Sequence, residues 1–143
     1  MPIKAFSDSN VFIFGFERPR SNSRRILDLL VSGELHGVVT DRVVREVMGY
    51  MRRYYGKDLA GRFRDLMLLT CDLLLEEDLP IDPELSALVG AKDAGALAAV
   101  RSSGLSRLVS TDSDFAEVPE HRTPREYLQE LDEPPHRRIR SDL

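Results

Sequence analysis

The chain has 143 residues, one domain's worth of sequence and enough to bury roughly two-thirds of its unfolded surface without a covalent staple. Apolar residues make up 42% and charged residues 31%, an ordinary globular balance that excludes wholesale disorder. Twenty basic against 24 acidic side chains leave a net charge of −4, so a nucleic-acid partner has to be met by a local patch.

The first apolar run, Ile3 to Ser7, predicts a buried strand that Asp8-Ser9-Asn10 interrupts, and Val11 to Phe16 opens a short helix. Ser21 to Ser32 predicts a helix with Ile26, Leu29 and Leu30 on one face and Gly33 as its stop. Val38-Val39 reads as a second strand. Thr40 or Asp41 then caps a helix whose stripe is Val43, Val47 and Met51. Gly56 interrupts it, and Leu59 to Leu69 forms another amphipathic helix. Leu73 to Leu75 fits a helix end or a strand equally well. Asp72 to Glu84 carries six acids and no base, which reads as an exposed acidic face. Asp82-Pro83 marks a helix start, and a further helix runs from about Asp93 to Arg101 and ends near Gly104. Leu108-Val109 is a third strand, and Thr123-Pro124-Arg125-Glu126 is a capping box that opens a last helix. Strands alternating with helices predict an α/β fold with a mostly parallel sheet over residues 1–131, followed by a basic tail at 132–143 that contains Arg137, Arg138 and Arg140.

Three classes of site are excluded. The single cysteine, Cys71, rules out a disulfide framework within the chain and favours a reducing cytoplasm. His36, His121 and His136 are too dispersed for a zinc site. No apolar run approaches the roughly 18–20 residues of a membrane span, and the N-terminal segment lacks the apolar region of a signal peptide.

Certain acids stand where ligands gather. Asp8 follows the first strand, and Asp112 and Asp114 follow the strand at Leu108-Val109; in parallel sheets ligands collect beyond the carboxyl ends of strands. Each also fits a simple helix cap or Asp-rich turn. Asp93 falls on the apolar face of Leu97 and Val100, where a carboxylate is costly unless it is paired, capping or metal-bound. Glu46 sits off its helix's apolar stripe and by periodicity is a solvated surface glutamate. Gathered at one sheet edge, such carboxylates would repel one another unless a divalent cation neutralised them, and oxygen-only ligands favour Mg²⁺ or Mn²⁺. That chemistry suits phosphate-ester hydrolysis.

Four segments in order, Phe6-Ser7-Asp8-Ser9-Asn10-Val11, Val43-Val44-Arg45-Glu46-Val47, Lys92-Asp93-Ala94-Gly95-Ala96-Leu97 and Leu108-Val109-Ser110-Thr111-Asp112-Ser113-Asp114-Phe115, resemble a PIN domain over about residues 4–128. The resemblance implies a Mg²⁺- or Mn²⁺-dependent endoribonuclease, of the VapC-like toxin type, that hydrolyses RNA phosphodiester bonds without a covalent intermediate. On it, Asp8, Glu46, Asp93 and Asp112 match the catalytic, metal-binding acids, with Asp114 as a further acid and Asn10 and Thr111 as the polar residues that order the pocket. It also implies an antitoxin partner and a homodimer, for which Met48, Met51, Tyr54 and Tyr55 are candidate contacts. The chain departs from the pattern near Gly95, where the family commonly carries a bulkier apolar residue and this helix is Ala/Gly-rich, and residues 56–84 match none of it.

RNA needs positive charge beside the acids. Arg42 to Arg64 holds seven basic residues against two acids, a local charge of +5, interleaved with Tyr50, Tyr54 and Tyr55. Arg42, Arg45, Arg52 and Arg53 are the candidate RNA contacts, and a solvated helix face with core or dimer tyrosines is the equal alternative. Arg18, Arg20, Arg24 and Arg25 form a second basic group. A PIN-fold binding module without catalysis, and an RNA-processing nuclease without an antitoxin, stay open as readings. A phospho-acceptor receiver domain does not fit, because Asp8 has no acidic neighbour and no lysine follows Leu108-Val109.

Overall fold

A computed structural model describes residues 3–132. It opens with strand β1 (Ile3–Ser7) and helices α1 (Ser9–Glu17) and α2 (Asn22–Ser32). Strand β2 (Leu35–Thr40) leads into α3 (Asp41–Tyr55) and α4 (Lys57–Thr70). Strand β3 (Cys71–Leu74) is followed by a 3₁₀ turn at Glu76–Asp78, then α5 (Pro83–Val89) and α6 (Ala94–Ser102). The chain ends in β4 (Leu108–Val109), a 3₁₀ turn at Ser113–Phe115, β5 (His121–Arg122) and α7 (Pro124–Asp132).

All four strand pairings are parallel, in the order β3-β2-β1-β4-β5. The sheet grows outward from β1 in both directions, so its switch point lies between β1 and β4. Right-handed crossovers then place α1 to α4 on one face and α5 and α6 on the other. Consistent with this, α2, α3 and α4 pack on β2 while α6 packs on β1, β2 and β4. Burial from both sides explains why Ala5, Phe6 and Ser7 are all buried in β1.

Local chemistry sets the helix ends. Ser21 accepts the Arg24 N–H at the start of α2, and Gly33 ends that helix with φ +81°, a left-handed conformation that needs no Cβ. Thr40 Oγ1 accepts the Val43 N–H at the start of α3. The expected capping box of the last helix forms on both sides: Thr123 N–H donates to Glu126 Oε1 and Glu126 N–H to Thr123 Oγ1.

The ambiguous segment resolves as a strand, β3, paired with β2. Strand β5 has no counterpart in the apolar pattern. Met51, offered above as a dimer contact, is fully buried and belongs to the core with Val43 and Val47. The acidic stretch from Asp72 to Glu84 is not uniformly solvated either. Asp72 pairs with His36 Nε2 at 3.0 Å and Lys4 Nζ at 3.4 Å, and Glu76 is half-buried. Asp132 closes α7, and the rest of the basic tail lies outside the described residues.

Candidate metal centre

Parallel pairing of β1 with β4 sets Ser7 beside Val109, so the next residues, Asp8 and Ser110, leave the sheet side by side. Asp8 caps α1 through Oδ1, which accepts the Ser9 N–H at 2.8 Å, and its Oδ2 accepts from Ser110 Oγ at 2.7 Å. Asn10 ties the two strand ends together. Its Nδ2 donates to Asp8 Oδ2 at 3.3 Å and to Ser110 Oγ at 3.1 Å, and its Oδ1 accepts the Thr111 N–H at 3.1 Å. Thr111 contributes to this network through its backbone amide. Ser110, fully buried, also accepts the Asp112 N–H at 3.0 Å. Asp112 in turn caps the following 3₁₀ turn by accepting the Asp114 N–H at 2.9 Å.

Asp93 stands at the cap position of α6, but its carboxylate makes no capping hydrogen bond. With 9% of its surface exposed it instead turns toward the strand ends. One carboxylate oxygen from each of Asp93, Asp112 and Asp114 lies within 4.8 Å of the others. That spacing lets one oxygen-ligated cation be reached by all three. Asp8 and Glu46 stand outside this trio; Asp8 feels the charge of Asp112, and Glu46 that of Asp8. Burial pushes the Asp8 carboxyl above its ordinary value, and the charge of Asp112 adds to the rise against the hydrogen bonds from Ser110 and Ser9. Burial also raises Glu46, with the charge of Asp8 next, while Arg42 and Lys92 oppose. Asp93 is pushed up to about 6, first by burial and then by the charges of Asp112 and Asp8. The acids thus form one repelling string from Glu46 through Asp8 to Asp112, Asp93 and Asp114.

Four contributors were not among the expected site residues. Ser110 is a lone serine at a strand end. Lys92 offsets part of the charge at Asp8, Glu46 and Asp93. Asp41 anchors the turn after β3, because its Oδ1 accepts the Glu76 N–H at 2.9 Å. Glu76 is then held against α6: a Cβ on Gly95 would fall within contact-breaking distance of its carboxylate. The room left by Gly95 is therefore filled by the Glu76 carboxylate.

No protein-family model matches the chain, and no curated protein matches it by sequence. Solved structures match it by shape. A toxin–antitoxin complex from Klebsiella pneumoniae aligns with a TM-score of 0.60 at 22% identity, over 84% of this chain and 97% of that one. VapBC2 of Rickettsia felis, solved bound to a DNA fragment from its promoter, aligns with a TM-score of 0.59 at 11% identity, over 85% and 98%. VapC20 of Mycobacterium tuberculosis, a toxin that cleaves the sarcin–ricin loop, aligns with a TM-score of 0.54 at 15% identity, over 78% and 92%. The chain has the PIN fold.

Within this PIN fold the predicted basic residues fall into two groups. Arg42 Nε lies 3.5 Å from Glu46 Oε1, and Arg45 Nη1 lies 3.0 Å from Asp41 Oδ2, so both are tied to acids of their own helix. Arg52 and Arg53 have no ion-pair partner among the described residues, and the Arg53 guanidinium lies 5.5 Å from the centre of the Tyr54 ring. Arg45, Glu46, Tyr50, Arg53 and Tyr54 line a groove with Ser9, next to Asp8. Tyr54 is exposed there, whereas the hydroxyls of Tyr50 and Tyr55 both donate to Glu17 Oε2 and brace α3 on α1. No helix among the described residues is long and apolar enough to cross a membrane.

Proposed function

We propose that this protein is a Mg²⁺- or Mn²⁺-dependent endoribonuclease of the PIN type and the toxin of a toxin–antitoxin pair. The observation that supports this reading most is the approach of Asp93, Asp112 and Asp114 to within 4.8 Å at the switch point of the sheet. The donor set is all carboxylate oxygen, and after burial the charges of Asp112, Asp8 and Asp114 add to the raised proton affinity of Asp93, which suits a site for a hard divalent cation. Asp93, Asp112 and Asp114 would hold the ion, with Asp8 and Glu46 completing the set. When bound, such an ion neutralises the carboxylates, polarises the phosphoryl oxygen and makes water a stronger nucleophile.

The chain's own residues position everything else. Ser110 and Asn10 orient Asp8. Arg53 and Tyr54, in the groove beside Glu46, supply charge and a ring face for an RNA strand. The antitoxin part of the reading rests on the architecture shared with the Klebsiella and Rickettsia complexes. Pairing as a homodimer, with Met48, Tyr54 and Tyr55 as contacts, belongs to the same proposal, as does a cytoplasmic location.

Incubation of the purified protein with structured and single-stranded RNA tests it. Cleavage is expected with Mg²⁺ or Mn²⁺ and is expected to stop with EDTA or in Asp93→Asn. Equal cleavage in EDTA would overturn the metal mechanism. Metal-independent RNA binding with no cleavage at all would favour a non-catalytic module. Growth arrest on expression, relieved by co-expression of a neighbouring gene's product, tests the toxin pairing.

A further inference from the structure

The PIN fold carries a second basic pocket, on the Thr111 side of the acids, that none of the candidate RNA residues lines. It lies between the ends of α1, α2 and α7, holds about 330 Å³, and is lined by Phe14, Arg18, Ser23, Thr111, Thr123 and Arg125 among others, with no acid in its wall. Arg18 and Arg125 have no ion-pair partner among the described residues, unlike Arg42 and Arg45. Both helix starts that face the pocket hold spare donors. Ser21 Oγ caps only the Arg24 N–H, leaving the amides of Asn22 and Ser23 open, and the Arg125 amide follows Pro124 in the first turn of α7 without an acceptor. Ser23 adds an independent sign. The residue is 4% exposed and lines the pocket, and its hydroxyl makes no hydrogen bond to another described residue. Open backbone donors at two helix N-termini and two guanidinium groups without an ion-pair partner, with no carboxylate in the wall, suit an anion. The ring of Phe14, with the Arg18 guanidinium 5.1 Å from its centre, offers a flat apolar face beside it.

We propose that this pocket is a second RNA subsite, which seats a backbone phosphate on Arg18, Arg125 and the open amides and a base on Phe14. The inference rests on the nuclease reading and adds the path of the substrate. Helix α1 separates the two surfaces: Ser9 and Ile13 line the tyrosine groove and Phe14 lines this pocket. Each surface borders the acids along the chain, since Asp8 precedes Ser9 of the groove and Asp112 follows Thr111 of the pocket. A strand engaged at both surfaces is held on each side of the bond to be cut, which fixes its position before any chemistry.

Binding of a short fluorescein-labelled single-stranded RNA, followed by anisotropy in EDTA so that nothing is cleaved, tests the proposal. Arg18→Ala/Arg125→Ala is expected to weaken binding about tenfold or more and to flatten the dependence of log affinity on log salt by about 1–2. Phe14→Leu is expected to weaken binding by about tenfold with the salt dependence unchanged, as lost stacking does. Mn²⁺ affinity should stay at the parent value in each variant, which shows that the acid site is intact. Variants that bind RNA like the parent overturn the subsite and leave the nuclease reading standing. A parent protein that cleaves no RNA and binds none at low salt overturns that reading and the subsite with it. Unchanged RNA binding with lost binding of a co-purified partner protein would make the pocket a protein contact and overturn the RNA assignment.

Discussion

Ser110 Oγ donates to Asp8 Oδ2 at 2.7 Å across the switch point between β1 and β4. The two residues are 102 positions apart, yet strand register alone makes them neighbours. The same hydroxyl accepts the Asp112 N–H, so one buried serine orients two of the candidate metal ligands. Removing an outer-shell partner of this kind typically costs 10- to 100-fold in metal affinity. Ser110→Ala is therefore expected to weaken Mn²⁺ binding by about tenfold or more, measured calorimetrically, with cleavage falling in parallel and the fold retained. Unchanged affinity would show that Asp8 needs no help from β4.

Charge repulsion makes Asp93 a residue whose loss should help the empty protein. It is nearly buried, makes no capping bond, and has its proton affinity raised by burial and by the charges of Asp112, Asp8 and Asp114. Asp93→Asn removes that repulsion and is expected to raise stability in EDTA by about 1–3 kcal/mol, a gain of several degrees in melting temperature. The same substitution should abolish the stabilisation that Mg²⁺ gives the parent. A variant that is both less stable and still stabilised by Mg²⁺ would place Asp93 in a structural role.

The pH dependence follows with a definite sign. Asp93 has an ordinary value of 3.8 when unfolded and about 6 in the fold, so between these values the folded protein binds more protons than the unfolded one. Its contribution is fully present below 3.8 and is lost as pH rises through about 6. Asp8 and Glu46, also raised, act in the same direction. Without metal, melting temperature is expected to fall across this window. Added Mg²⁺, which binds only the deprotonated acids, should stabilise more at about pH 7.5 than at about pH 5. A Mg²⁺ effect that is flat with pH would mean that these carboxylates do not hold the ion.

Met51 separates a core role from an interface role. Its buried side chain completes the stripe with Val43 and Val47, so Met51→Ala is expected to cost about 2–5 kcal/mol by denaturant unfolding. The exposed Tyr54 should tolerate alanine with little loss of stability. If Met51→Ala alters only the oligomeric state, the core assignment is wrong.

Where the sequence was legible, local rules and burial agreed. The strand at Ile3–Ser7, the stop at Gly33 and the capping box at Thr123 each have a mechanism confined to a few residues, and each formed as expected. Asp93 was legible because a carboxylate on an apolar face demands an explanation. Glu46 was not legible by periodicity, since its side chain is more than a third exposed and differs from an ordinary surface glutamate only in what lies across from it. Strand β5 was missed because His121-Arg122 carries no apolar pattern and is a strand only through its pairing with β4. Ser110 and Glu76 gain their roles from register and packing over long sequence separations, which no local pattern records.

Glu76 and Gly95 supply the sharpest check on that long-range packing. The carboxylate of Glu76 fills the space where a Cβ on Gly95 would stand, beside the first turn of α6 that carries Asp93. Gly95→Ala must therefore displace Glu76 or shift α6, and overpacking of this kind costs about 1–3 kcal/mol. Glu76→Ala removes the obstruction, so Gly95→Ala should be far less harmful in that background, where alanine's helix propensity favours it by up to about 1 kcal/mol. A double-mutant cycle on unfolding free energies is expected to give a coupling of about 1 kcal/mol or more. Additive effects would show that the two residues do not meet.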